Sequence, residues 1–245
     1  MTSTVTICHF SDWHNEWRTL PEADIYVCTG DMLDNYPDFQ KSSGGWGGSF
    51  GYSGRIITAS KEERLQKEWF QRSFFNKGRK LGLRHWFPKS CKNNPVVVVR
   101  GNHDFTNLGP MFGGEVFEVN KDPSRTVEYC GLKFGGFRGI PWIIGEWSDE
   151  MMQTDFYEIM ERIPNDLDVI VSHCPPAGFL DKYFGEKLGI NAYANWINKK
   201  MITGADLPKL FCFGHIHNQN GKLEHECGSI FSNAATTKQI IEIKL

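Results

Sequence analysis

The chain has 245 residues and a net charge of −2 from 27 basic and 29 acidic side chains. That length supports a sizeable core in one α/β unit, and the near-balanced charge excludes a global basic field for nucleic acid without excluding a local basic groove. The seven cysteines form no C-x-x-C pair, no apolar stretch is long enough to span a bilayer, and no basic-then-apolar leader follows Met1; the expectation is a reduced, cytoplasmic chain with no membrane partner.

Short apolar, β-branched runs recur along the chain, and five of them end in a polar cluster. Thr4–Phe10 leads into Ser11-Asp12-Trp13-His14, and Asp24–Cys28 into Thr29-Gly30-Asp31. Next comes Gly44 to Gly54, with six glycines and the aromatics Trp46, Phe50 and Tyr52. It reads either as a flexible surface loop or as a lid whose Trp46 or Tyr52 stacks on a base. Ser60–Phe75 has helical periodicity, with Ser60 as N-cap and Leu65, Trp69 and Phe70 on one face. Lys77-Gly78-Arg79-Lys80, with Arg84 and Lys89, is a solvated basic face unless it lines the cleft.

Pro95–Val99 leads into Arg100-Gly101-Asn102-His103-Asp104. Glu115–Val119, Thr126–Cys130 and Lys133–Arg138 read as a meander with a hairpin turn at Cys130-Gly131. Helices are expected over Asp155–Arg162 and Ala192–Lys200. Leu167–Val171 leads into Ser172-His173, and Lys209–Phe213 into Gly214-His215-Ile216-His217; Ile230–Ser232 and Gln239–Lys244 close the chain as strands. A candidate ligand just beyond the C-terminal end of a buried strand is where open α/β sheets put their sites.

The strand-end set is Asp12, His14, Asp31, Asn102, His103, Asp104, His173, His215 and His217, all oxygen or imidazole donors. Such a set suits Mn²⁺, Fe, Zn²⁺, Co²⁺ or Ni²⁺ and not a thiolate zinc site. The donors exceed what one ion uses, so two divalent ions are expected, Mn²⁺ first. Asp31 is the natural bridge because Gly30 lets the backbone approach closely. Two ions about 3.5–4 Å apart can hold a hydroxide and clamp a phosphoryl oxygen. His9, His85 and His225 are lone histidines and are read as structural.

Asp12-Trp13-His14, Gly30-Asp31, Gly101-Asn102-His103-Asp104, Ser172-His173 and Gly214-His215-Ile216-His217 together resemble the five motifs of the calcineurin-like metallophosphoesterase superfamily. The resemblance implies an α/β fold, a four-layer α/β/β/α sandwich of two mixed β-sheets. It implies that Asp12, His14, Asp31 and His217 hold one metal, and Asp31, Asn102, His173 and His215 the other. His103 is implied as the acid serving the leaving group and Asp104 as its orienting carboxylate. A narrower resemblance, through His173-Cys174-Pro175-Pro176, Ser232-Asn233-Ala234-Ala235 and Gly139-Ile140-Pro141-Trp142, is to the small metallophosphoesterase-domain proteins of brain and microbes. It implies a phosphodiesterase for nucleotide or cyclic-nucleotide esters. Residues 1–245 are expected to form one domain, with the glycine-aromatic loop and helix inserted at about 36–91. Arg138, before that Gly139–Trp142 turn, is a candidate phosphate contact. The alternatives are a DNA or RNA nuclease, a phosphomonoesterase or protein phosphatase, and a metal-free protein-binding scaffold.

Overall fold

The computed structural model describes residues 3–14, 16, 18–33, 87–143, 145 and 147–245. In chain order its strands are β1 (Thr4–Phe10), β2 (Ile25–Cys28), β3 (Val96–Val98), β4 (Val116–Glu118), β5 (Thr126–Tyr129), β6 (Leu132–Gly136), β7 (Ile140–Pro141), β8 (Glu150–Met151), β9 (Val169–Val171), β10 (Lys182–Tyr183), β11 (Glu186–Lys187), β12 (Leu210–Phe213), β13 (Gly221–Glu224), β14 (Ile230–Asn233) and β15 (Lys238–Lys244). The α-helices among the described residues are α1 (Gly109–Phe112), α2 (Gln153–Arg162) and α3 (Asn191–Thr203).

Two mixed sheets dominate. One runs β15-β1-β2-β3-β4, the other β13-β14-β12-β9-β6-β5. Within them β1, β2, β3 and β4 are parallel neighbours, as are β14, β12, β9 and β6, while β15, β13 and β5 add antiparallel edges.

The period-2 alternation of strand side chains decides what meets what. Val5 and Ile7 of β1, Val27 of β2 and Val97 of β3 face inward, against Phe134, Val169, Val171, Leu210 and Cys212 of the other sheet. The opposite set, Cys8, Phe10, Tyr26, Cys28, Val96 and Val98, packs outward against Phe87, Cys91 and the Met111 and Phe112 of α1. On the far side Ile170, Phe211, Phe213 and Phe231 meet Phe156 and Met160 of α2 and Tyr193 and Ile197 of α3. Both faces of each central strand are therefore buried, which is why these strands read as unbroken apolar runs. The result is the expected four-layer sandwich of two mixed sheets.

The meander is corrected. β4 joins the first sheet beside β3, whereas β5 and β6 pair in the second. The chain changes sheets between Glu118 and Thr126, through a turn in which Asp122 accepts from the Ser124 amide. Alternation gives a strand its faces but not its sheet, so the sequence could not see the crossing. The Cys130-Gly131 hairpin does form, with φ of +51° and +75°, the double left-handed turn that suits the twist of paired strands. The helix expected over Ser60–Phe75, the Gly44–Gly54 segment with Trp46 and Tyr52, and the basic run Lys77–Lys80 with Arg84 lie outside the described residues. All seven cysteines are free thiols. No helix among the described residues is long and apolar enough to cross a membrane.

Candidate metal centre

Loops following β1, β2, β3, β9 and β12 carry the expected residues to one place between the two sheets. The loops hold one another. Asp12 N–H donates to the Gly30 carbonyl at 2.9 Å and His14 N–H to the Asp31 carbonyl at 3.0 Å. The His215 amide donates to Asp12 Oδ2 at 3.0 Å, and the His103 amide to Asp31 Oδ1 at 2.7 Å. Backbone conformation is strained here: Asp12, His14, Asp31 and His215 all have φ between +43° and +67°. A non-glycine residue costs about 1–2 kcal/mol in that region, and such strain collects at functional sites because packing and hydrogen bonds around them hold it.

Three groups of side chains each bring their donor atoms within 4.8 Å of one another: Asp12, His14 and His217; Asp31, His173 and His215; His14, Asp31 and His103. Asn102 joins the second, its Oδ1 3.0 Å from His173 Nε2. Every strand-end residue except Asp104 thus faces this centre.

The donor set fits cations. His173 Nδ1 lies 2.6 Å from the Thr29 carbonyl, which fixes Nδ1 as the protonated nitrogen. Its Nε2 faces two oxygens, Asn102 Oδ1 at 3.0 Å and Asp31 Oδ2 at 3.3 Å. A neutral imidazole would set a lone pair against both, so a positive charge is required there, from a proton or a metal ion. His217 Nε2 lies 3.1 Å from Asp12 Oδ1. Electrostatics agree. Burial opposes ionisation of Asp31, yet the His173 and His103 imidazoles hold its carboxyl well below the usual range. Burial likewise disfavours charge on His173, but Asp31 and Asp12 lift the imidazole to about 9. His215 goes the other way, pushed down to about 3 by burial and by its His173 neighbour. Two buried carboxylates among imidazoles make a cation-seeking pocket.

Glycines make the approach possible. A Cβ on Gly101 would lie 2.1 Å from Asp31 Oδ1, and one on Gly214 2.2 Å from Asp12 Oδ2. Gly30, at φ +96°, would drive a Cβ to 2.2 Å from the Gly101 amide nitrogen. The G-D, G-N-H-D and G-H-x-H patterns are thus steric requirements of carboxylates packed against a neighbouring loop.

Asp104 has a different surrounding from the expected one. Its carboxylate accepts from the amides of Asp31 at 2.6 Å, Leu33 at 3.0 Å and Gly101 at 2.9 Å. It ties the Gly30–Leu33 loop to the Gly101–Asp104 loop instead of being directed at the His103 ring. Burial and the negative charge of Asp31 push its carboxyl up. His103 itself stands edge-on to His14, ring centres 4.7 Å apart at 90°, with Trp147 on another side at 4.6 Å. Arg138 is buried, and its Nη2 pairs with Asp149 at 3.2 Å, as does that of Arg100 at 2.7 Å. Arg138, the expected phosphate contact, thus shares the Asp149 carboxylate with Arg100. His9, read as structural, bridges the two sheets: its ring nitrogens meet Ser232 Oγ at 2.8 Å and Thr29 Oγ1 at 2.9 Å. Sequence reading missed Trp147 and the Arg100–Asp149–Arg138 cluster, which no spacing rule marks.

The family model described as calcineurin-like phosphoesterase matches residues 5–219. Metallophosphoesterase domain-containing protein 1 of Homo sapiens and that of Mus musculus are each 24% identical over 217 residues, which cover 86% of this chain and 60% of theirs. A UPF0046 protein of Caenorhabditis elegans is 28% identical over 109 residues, 44% of this chain and 33% of that one. The chain spans about 60% of the length of the first two relatives. Among solved structures, a putative 5'-nucleotidase from Staphylococcus aureus in complex with alpha-ketoglutarate aligns at 12% identity and a TM-score of 0.44, covering 98% of this chain and 51% of that chain.

Proposed function

This chain belongs to the calcineurin-like phosphoesterase family, and on that premise we propose that it is a dinuclear metal-dependent phosphodiesterase acting on nucleotide esters. The observation that carries the reading is the pair of donor groups, Asp12-His14-His217 and Asp31-His173-His215, side by side in one buried pocket. Asp12, His14 and His217 would hold one ion, and His173, His215 and Asn102 the other, with Asp31 between them. That the donors run from Asp12 to His217 supports reading residues 1–245 as one domain.

When bound, two divalent cations, Mn²⁺ by preference, would neutralise phosphoryl charge and supply an activated water. The protein's own residues do the remaining work. Asp104 holds the loops of Asp31 and Asn102 in register through three amides. His173 keeps its tautomer through Thr29. His103 is fixed at its backbone by Asp31 Oδ1 and presents its ring beside His14, where it can give a proton to the departing oxygen.

The test is hydrolysis of bis-p-nitrophenyl phosphate by the Mn²⁺-loaded protein. Asp31→Asn should abolish it and lose metal, whereas His103→Ala should lose about 10²–10⁴ in kcat with metal retained. Wild-type rates in both variants would overturn the reading. Less than one equivalent of metal after loading would favour the scaffold instead.

A further inference from the structure

A stretch beside the centre has no part in the ligand set, yet its described residues are tied to that centre. Trp147, Ser148 and Asp149 lie on it just before β8, which pairs in parallel with β7. Asp149 sits at the end of that stretch with φ +55°, a left-handed conformation uncommon for a residue with a side chain. Two guanidinium groups hold it there: Arg100 Nη2 on Oδ2 at 2.7 Å and Arg138 Nη2 on Oδ1 at 3.2 Å, with all three side chains at most 13% exposed. Its carbonyl also accepts from the Ile140 amide at 3.2 Å, and the Ser148 amide donates to the Asn102 carbonyl at 3.0 Å. Ser148 and Asp149 are therefore pinned directly to the segment carrying Arg100, Asn102 and His103.

What this anchoring positions is Trp147. The indole is half-buried, packs at its rear against the α2–α3 side of the core, and lies 4.6 Å from the His103 ring at 47°. Trp142, 56% exposed, lies with its ring over Gly145, where a Cβ would meet it at 2.4 Å.

We propose that Trp147 is a substrate-positioning residue, a rigid platform on which the flat leaving group of the ester stacks, so that the preferred leaving group is a nucleoside. This rests on reading His103 as the group that serves the departing oxygen, since whatever that oxygen carries then lies next to the indole. A clamped ring loses little freedom on binding, and base–aromatic stacking contributes to affinity whatever the base. The same contact restrains the His103 imidazole, so the platform aligns substrate and acid together.

The experiment compares a deoxyadenosine dinucleotide with the matching methyl esters of deoxyadenosine monophosphate, using wild type, Trp147→Ala and Trp147→Phe. Calorimetric binding of free deoxyadenosine is measured alongside. Wild type should favour the dinucleotide in kcat/KM. Trp147→Ala should erase about tenfold of that preference and weaken deoxyadenosine by a similar factor, while Trp147→Phe keeps both. If Trp147→Ala slows both substrates equally and leaves deoxyadenosine binding unchanged, the indole only props His103 and the proposal is overturned. Should wild type cleave neither diester, the phosphodiesterase reading fails separately. Deoxyadenosine binding then decides the platform alone: loss in Trp147→Ala supports it, and no binding to wild type overturns it.

Discussion

Replacing Gly101 by alanine adds one methyl group at the point where the third strand-end loop meets Asp31. Gly101 does not sit in the left-handed region, so the backbone tolerates a side chain, and the penalty is steric. The new Cβ would lie 2.1 Å from Asp31 Oδ1 and 2.6 Å from the Asp31 amide nitrogen. Real Cβ atoms essentially never approach closer than 3.0 Å, so Asp31 or its loop must give by roughly 0.9 Å. Asp104, which bonds the amides of both Gly101 and Asp31, resists that separation. A displacement of about 1 Å at a reacting centre costs on the order of 100-fold in rate, or about 2.7 kcal/mol. Metal content after Mn²⁺ loading and kcat on bis-p-nitrophenyl phosphate are the readouts, and both should fall in Gly101→Ala. Gly178→Ala is the control, because Gly178 has φ +92° and no atom within 4 Å of a built Cβ. It should lose about 1–2 kcal/mol of stability through backbone strain yet keep its activity below its melting temperature. A Gly101→Ala protein with full metal occupancy and a rate within threefold of wild type would refute the steric argument.

Asp104→Ala strands three buried amides, and at about 1–3 kcal/mol each before relaxation the loss should reach several kcal/mol in urea unfolding; a loss under about 0.5 kcal/mol would show that the carboxylate does not tie the loops. Burial pushes the His9 imidazole down to about 3 against the pull of Asp12, so the folded protein keeps it neutral while the unfolded chain protonates near the ordinary histidine value of 6.5. Its contribution is complete above that value and is lost as pH falls toward about 3, by up to about 1.4 kcal/mol per pH unit. His9→Gln should therefore flatten the dependence of Tm on pH below 6.5 relative to wild type, and an unchanged slope would count against a buried neutral imidazole. Divalent metal should stabilise the fold by about 2.7 kcal/mol at a hundredfold excess over Kd, seen as a Tm that rises with Mn²⁺ and falls with chelator. Asp31→Asn should lose that response, and a wild-type Tm indifferent to both reagents would contradict a metal centre at these residues.

The sequence by itself determined the set of donor side chains and their strand-end placement. Donor types are written residue by residue, and the apolar runs before Asp12, Asp31, Asn102, His173 and His215 placed each at a strand end, because central strands buried on both faces leave little room for any other pattern. The glycine at 30 was legible as a close approach, whereas those at 101 and 214 were only motif positions; the tertiary structure shows that Gly30 meets the Gly101 backbone, Gly101 meets Asp31 and Gly214 meets Asp12. Tertiary structure decided what depends on separations of many residues. Whether β4 continues a meander or joins the first sheet turns on which neighbour its amides find. Asp104 follows His103 in sequence, but its oxygens go to amides of another loop. That Arg138 shares Asp149 with Arg100 was not visible in the sequence. Trp147 carries no motif at all. Its place beside His103 follows from a strained aspartate and two arginines 38 residues apart in the chain, a juxtaposition that local patterning cannot encode because it exists only once the two sheets have packed.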